Sequence, residues 1–426
     1  MFDTHSLALP VASTLLLLWL LAHLVNSFRF HKKYNFPNLV PGVPVLGNLL
    51  DIPKDIAGRR LYLHKLAQKH GEMYTLKMGS NYWVFMNSQR VTNEILDKRG
   101  AKYISREKLP MPGDVASGGK RVVFMPYGDL WKWERKVMHD IIGPGNRDVF
   151  APLQDTESRA LLYQYLTEPD RRNHANARYA SSLIMNLVYG RRTKLGDANV
   201  DRIIETNNEI MKMFEPGSSW IDSLPFLAYI PLPKSIQPWR VGGQRVQGIS
   251  ETGRNFSEEF EGLVERERQS RAVTCFMTEF KRLGRDKLID YDSMRFLAGS
   301  LVKSGSDTTR VVLNQLVAAT ALFPEAVERA RKELDHLAKE ALRWNVSLPE
   351  IAHSSTQDDK FEGHTIPAGT NVVWNSWGVH MSSSEYDEPD AFRPERFLND
   401  DLDKAIKGHV VFWGRSPYLS RMGHRK

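Results

Sequence analysis

In the middle of a stretch that reads as a long helix stands "SGSDTT", Ser304 to Thr309. These are poor residues for a helix interior. Glycine there costs about 1 kcal/mol relative to alanine, and Ser, Asp and Thr side chains compete for backbone hydrogen bonds. Two readings stay open. The helix opens locally into a groove lined by Asp307 and Thr308, able to hold water and pass protons to a bound ligand. Alternatively, a helix boundary falls here with Asp307 as the N-cap.

Three further constellations carry chemistry. "EALR" places Glu340 and Arg343 at i, i+3 on one helix face, which by itself describes an ordinary surface ion pair. "FRPERF", residues 392 to 397, puts Arg396 in a Pro-bounded turn from which it offers Glu340 a second guanidinium fork. A carboxylate bridged by two arginines is expensive to bury, so it must lock something specific. "YGDLWKWERK", residues 127 to 136, sets Trp131 and Arg135 at i, i+4. That is either an amphipathic helix with an aromatic anchor, or an indole N–H and a guanidinium aimed at a ligand carboxylate.

The elements that must position these residues are mostly helical. Residues 58 to 70 read as a helix. "MYTLKMGSNYWVFMN" alternates around Gly79-Ser80-Asn81 as a β-hairpin, and Ser88 caps a helix running to Gly100. Helical periodicity dominates from about 126, broken by Pro and Gly near 143 and by the aromatic, Pro-spaced stretch 222 to 239. That stretch is a surface loop or an interfacial patch. A long helix is expected over 288 to 322, ending before Pro324, with another from about 325. Short strands return over 361 to 375, with turns at Gly363 and Pro367 to Gly369. The fold class is mainly α with a minor β part, in one domain.

Of 426 residues 42% are hydrophobic, enough for a sizeable core, and the net charge is +8. That balance suits membrane headgroups or an acidic partner. No basic run stands out, so a dedicated nucleic-acid site is not expected. The single cysteine, Cys275, excludes intrachain disulfides and cysteine-based zinc clusters. Leu7 to Val25 carries no formal charge and as a helix spans about 28 Å. Arg29, Lys32 and Lys33 follow it, which places the bulk of the chain in the cytosol. The expected division is a membrane anchor over 1–28, a stiff Pro/Gly-rich hinge over 29–50 and a catalytic domain over 51–426.

Anchor, Pro-rich hinge, W-x-x-x-R helix, G-x-D-T-T in a long helix, E-x-x-R and F-x-P-E-R-F occur here in that order. The chain resembles a microsomal cytochrome P-450, the haem-thiolate monooxygenase family, and most of all its fungal members. The resemblance runs from the anchor to about residue 412. It implies a single-pass protein of the endoplasmic reticulum that binds haem and draws electrons from a membrane-bound NADPH-dependent reductase. It implies oxygen insertion into a hydrophobic small molecule, with a secondary metabolite as the class expected by analogy. Trp131, Arg135 and His353 match residues that hold the haem propionates. Asp307 and Thr308 match the acid–alcohol pair that delivers protons. Glu340, Arg343 and Arg396 match the structural triad around the haem loop. Loops 101 to 125 and 205 to 240, where family members differ, read here as apolar and aromatic.

Two departures stand out. The family's haem loop has the form F-x-x-G-x-R-x-C-x-G. Phe412, Gly414 and Arg415 begin something similar, but "SPYLSRMGHRK" brings no cysteine, and the domain is expected to be C-terminally truncated. The thiolate pushes electron density onto the iron to favour O–O cleavage. Cys275 lies far from the required place, and a histidine such as His409 or His424 would lack that push. Upstream, Asp335 and Glu340 are five positions apart where the family has a loop and a short helix, so two helices should fuse. Both departures resemble a skipped exon and a frameshift. The chain as written is expected to be inactive, or to be a membrane-anchored, non-catalytic relative that competes for the reductase.

Overall fold

The computed structural model describes residues 14, 18, 21, 22, 25–30, 32–143, 147–194, 196–213, 219–225, 227, 233, 237, 253–330, 334–346 and 348–398. Among them no helix is long and apolar enough to cross a membrane. Most of Leu7 to Val25 lies outside the described residues, as do most of 222–239 and all of the stretch from 399 on, with Phe412, Gly414, Arg415, His409 and His424. The described chain forms two compact units. One comprises the residues up to Ser105 together with Glu350–Gly378; the other runs Arg106–Pro349 and resumes at Val379.

The first unit is built on a sheet. Helix α1, Ile56–His70, starts where the Asp55 carboxylate accepts from the Gly58 amide at 2.6 Å, and stops at Gly71 with φ 83°. Strands β1, Met73–Met78, and β2, Asn81–Met86, pair antiparallel across the two-residue turn Gly79-Ser80. Strand β3, Glu350–Ser354, and β6, Asn371–Asn375, complete the order β1-β2-β6-β3, with β2 and β6 parallel. The short pair β4, Asp359–Phe361, and β5, His364–Ile366, is joined through Glu362 and Gly363, both at positive φ, as a tight hairpin demands. Tyr74, Leu76, Phe85, Val373 and Leu63 fill the core of this unit, with the Tyr74 and Phe85 rings stacked at 5.1 Å.

The Pro/Gly-rich stretch does not stand off this unit as a free spacer. The Val40 amide donates to the Thr75 carbonyl, the Thr75 hydroxyl to Pro37, and the Asn48 amide to Lys77, all within 2.9 Å. The segment lies along the edge of β1 and satisfies groups that would otherwise face water or another strand. Gly47 is required there: at φ 61° its Cβ would sit 2.2 Å from the Lys77 carbonyl oxygen. The helix begun at Ser88 widens after Thr92 into π-type turns through Lys98.

The second unit is helical. Its helices are α2 (Asp129–Ile142), α3 (Arg147–Thr167), α4 (Arg172–Tyr189), α5 (Ala198–Lys212), α6 (Gly253–Arg268), α7 (Phe276–Arg282), α8 (Tyr291–Leu322), α9 (Pro324–Ala330) and α10 (Leu334–Trp344). Helix α8 has 32 residues, about 48 Å of axis. It is capped by the Asp290 carboxylate on the Ser293 amide at 3.0 Å and stopped before Pro324, whose ring disfavours helical backbone at Phe323. Met185, Val188, Tyr189, Phe276, Phe280, Leu297, Leu301 and Val302 form the main core where α4 and α7 pack on α8. Asp335 and Glu340 lie in one helix, α10; the junction between α9 and α10, where two helices are expected to fuse, lies outside the described residues.

The close approach of α4 to α8 explains one residue of the SGSDTT motif. A Cβ on Gly305 would meet Ile184 side-chain carbons at 2.7 Å. Gly262, inside α6, has only the end of the Arg266 side chain nearby, at 3.4 Å. The two glycines should therefore respond oppositely to alanine. Gly262→Ala is expected to stabilise by about 0.5–1 kcal/mol through helix propensity. Gly305→Ala is expected to destabilise by about 1–3 kcal/mol through overpacking. Urea midpoints of the two variants check both signs.

Candidate functional site

The SGSDTT residues lie mid-helix in α8, so the boundary reading is overturned: Asp307 caps nothing. Neither does the helix open there. The Ser300 hydroxyl donates to the Phe296 carbonyl at 2.7 Å, Ser304 to Ser300 at 2.8 Å, and Thr308 to Ser304 at 2.8 Å. Each hydroxyl adds a bond to a carbonyl four residues back instead of breaking the backbone ladder, which is why the helix tolerates them. The Asp307 carboxylate is held by Arg310 at 2.6 Å, one turn on. Asp307 and Thr308 thus sit side by side on α8, each bonded to the helix's own groups.

The triad is brought together. Glu340 and Arg343 are both fully buried and form a two-bonded pair, Nε to Oε2 and Nη2 to Oε1, each 2.7 Å. Arg343 also donates to the carbonyls of His380 (3.0 Å), Pro389 (2.8 Å) and Ala391 (3.1 Å), which uses all five of its N–H groups. The Arg393 amide donates to Glu340 Oε1 at 2.8 Å. Arg396 reaches the same oxygen at 3.4 Å, and its stronger bonds go to the carbonyls of Asp387 (2.5 Å) and Glu388 (2.9 Å). The shortened connection before Glu340 leaves this geometry intact. What the cluster locks is the irregular run from His380 to Phe397 against α10. Beside it Phe323 and Phe392 stack at 5.6 Å, with the Trp344 ring edge-on to both.

On α2 the Arg135 guanidinium lies over the Trp131 ring, 5.0 Å from its centroid. The stack is a cation–π contact, and it holds Arg135 beside the indole. Among the described residues no hydrogen bond or ion pair engages the Arg135 guanidinium, and burial depresses its pKa. Arg106 lies close enough that, after burial, repulsion from Arg135 helps push it down to about 10. Clustered, desolvated cations of this kind fit an anionic group of a bound ligand, as a haem propionate would be. His353 belongs to the other unit, where it is half-buried on β3 opposite Val372.

The haem implied by the resemblance thus finds a fitting propionate end in Trp131 and Arg135, and among the described residues no thiolate. Cys275 is 4% exposed and packs with Tyr189 and Phe276 in the main core, as the residue before α7. It behaves as a small buried hydrophobe. Among the described residues no His, Cys, Asp and Glu cluster could hold a metal ion.

Sequence reasoning missed Glu134. It is fully buried on α2, and among the described residues neither carboxylate oxygen has a hydrogen-bond partner. Burial alone raises it to about 8. A signal was present: Glu134 lies at i+3 from Trp131 and i−3 from Val137, on the apolar stripe of the helix.

Two predictions follow from these carboxylates. Removing Arg343 leaves Glu340 buried and uncompensated, so Arg343→Met should cost about 3–5 kcal/mol in urea unfolding, and Arg396→Met clearly less. For Glu134 the unfolded chain loses its proton near pH 4.5 while the folded chain keeps it to about pH 8. Stability therefore falls across that window and is level above it. Glu134→Gln should raise the melting temperature at pH 8 and leave it unchanged near pH 4.5.

Comparison with known proteins places these features. A family model described as cytochrome P-450 matches residues 37–412. The chain is 32% identical over 404 residues to the cytochrome P-450 monooxygenase verL of Clonostachys rogersoniana, covering 88% of this chain and 73% of that one. It is 31% identical over 449 residues to a cytochrome P-450 monooxygenase of Armillaria gallica, covering 95% and 84%. A zebrafish cytochrome P-450, solved with progesterone, superposes with a TM-score of 0.63 at 20% identity, covering 80% of this chain and 84% of that one. That last likeness concerns the fold alone.

Proposed function

The chain belongs to the cytochrome P-450 family, and from that premise we propose that it is a fungal-type monooxygenase relative that, as written, does not perform ordinary monooxygenation. The observation that carries this reading is the fate of its one cysteine. Cys275 is spent in the α4–α7–α8 core, and residues 412–426 contain none. In this family the haem supplies the oxygen chemistry, through an iron that needs the thiolate's electron donation. Trp131 and Arg135 would hold a propionate, with His353 assigned to the same task by family likeness. Asp307 and Thr308 would serve proton delivery only if Asp307 let go of Arg310. The ancestral substrate class is a hydrophobic small molecule, in keeping with fungal secondary metabolism. The reductase partner and the endoplasmic-reticulum anchor at 1–28 belong to the same reading, supported by the charge pattern around Leu7 to Val25.

Two measurements test it. The full chain is purified, incubated with haemin, reduced, and exposed to carbon monoxide. We expect no thiolate-type CO complex; a clear one would sink the inactive reading. Sequencing the transcript across the codons for residues 330 to 426 decides whether a cysteine loop is encoded. A restored F-x-x-G-x-R-x-C reading frame would make the encoded protein an active monooxygenase. A transcript that ends as written leaves the non-catalytic, reductase-competing relative.

A further inference from the structure

Two buried cations in the helical unit have no anion bonded to them among the described residues. Arg121, in the segment leading to α2, is 7% exposed. Its guanidinium makes no hydrogen bond or ion pair among the described residues, and it lies over the Phe296 ring of α8, 5.5 Å from the centroid. Lys303 lies two turns further along α8, and its ammonium is likewise buried, without a hydrogen-bond partner among the described residues. Phe296 and Lys303 are seven residues apart and so share a helix face. Long helical side chains lean toward the N-terminus, which carries the Lys303 ammonium toward Arg121.

The electrostatics agree with this placement. Burial pushes Lys303 down to about 7 and Arg121 down to about 10, and Arg121 is the cation that further depresses Lys303. The one carboxylate felt by Lys303 is Asp307, already committed to Arg310. Neighbouring Lys120 has its own acids, Asp290 at 2.7 Å and Asp292 at 3.7 Å. A buried charge without a partner is costly, and two of like sign more so. Surface lysines and arginines would not be held this way, and a fold that only needed volume here would use apolar residues.

We propose that Arg121 and Lys303 form a carboxylate-binding subsite, and that the ligand of this chain is an apolar molecule carrying one carboxylate. The inference rests on the monooxygenase-relative reading for the idea of a small apolar ligand, and it corrects the purely apolar character expected of loop 101 to 125. The carboxylate would bridge the guanidinium and the ammonium, while Phe296 offers its apolar body an aromatic surface. Binding needs neither haem nor turnover, so the subsite can stand or fall apart from the activity.

The test is a calorimetric titration of the full chain with 4-phenylbutanoate and with the neutral isostere 4-phenylbutanamide. The acid should bind on the order of tenfold more tightly than the amide, as charge-assisted hydrogen bonds to a buried pair require. Lys303→Met and Arg121→Met should each erase most of that preference, and Lys303→Arg should keep it. Equal binding of acid and amide, no binding of the acid, or an acid preference surviving in both Met variants would overturn the proposal. Competition identifies the source of the anion. Inorganic phosphate displacing the acid at equal concentration would show a general anion site. Haemin displacing it would assign the pair to a haem propionate. Either result overturns the substrate reading.

Discussion

The helical unit depends on one buried charge pair. Glu340 and Arg343 have no access to water, so every polar group they carry must be answered inside the protein. The answers come from backbone: three carbonyls accept from Arg343, and the Arg393 amide donates to Glu340. A run of chain without regular structure is thereby held in one conformation against α10. An apolar pair of similar volume would bury more cheaply, but it would not specify where His380, Pro389 and Ala391 must sit. Arg396 adds a weaker hold on the carboxylate and a stronger one on the turn itself.

Helix α8 is the second organising element, and it is unusually polar for its burial. The serine and threonine hydroxyls resolve that conflict locally by bonding back along the helix. Other polar groups resolve it between helices. Asn314 accepts from Asn176 at 2.7 Å and donates to Asn173 at 2.8 Å, which ties α8 to α4. Gln315 donates to the Asn345 carbonyl at the end of α10. Between α3 and α4, Arg178 and Glu157 form another buried pair at 2.6 Å, with Arg192 on the second oxygen. These polar groups fix register between helices whose apolar faces alone would permit sliding.

Set beside these satisfied groups, the exceptions are informative. Among the described residues Arg135, Arg121 and Lys303 are desolvated cations that bond to no acid, and Glu134 is a desolvated acid that bonds to no base. A folded chain that answers all five N–H groups of Arg343 has the means to answer these as well.

Much of this was legible beforehand. The motifs named the family because their order is specific even where each alone is not, and the hairpin, α1 and α8 follow from turn residues, caps and periodicity. These are local properties, set by backbone chemistry within a few residues. The triad was legible as a possibility, since Glu340 and Arg343 share a helix face. Its burial was not, because burial depends on the chain fifty residues away. The same holds for the rest: Gly305 marks an opened helix or a close crossing until Ile184 is placed against it. Arg121 and Lys303, far apart in sequence, are ordinary basic residues until packing removes water from both. Sequence alone determined the lineage and the helices. Tertiary structure alone decided which charges are buried and unanswered, because desolvation is a property of neighbours distant in the chain.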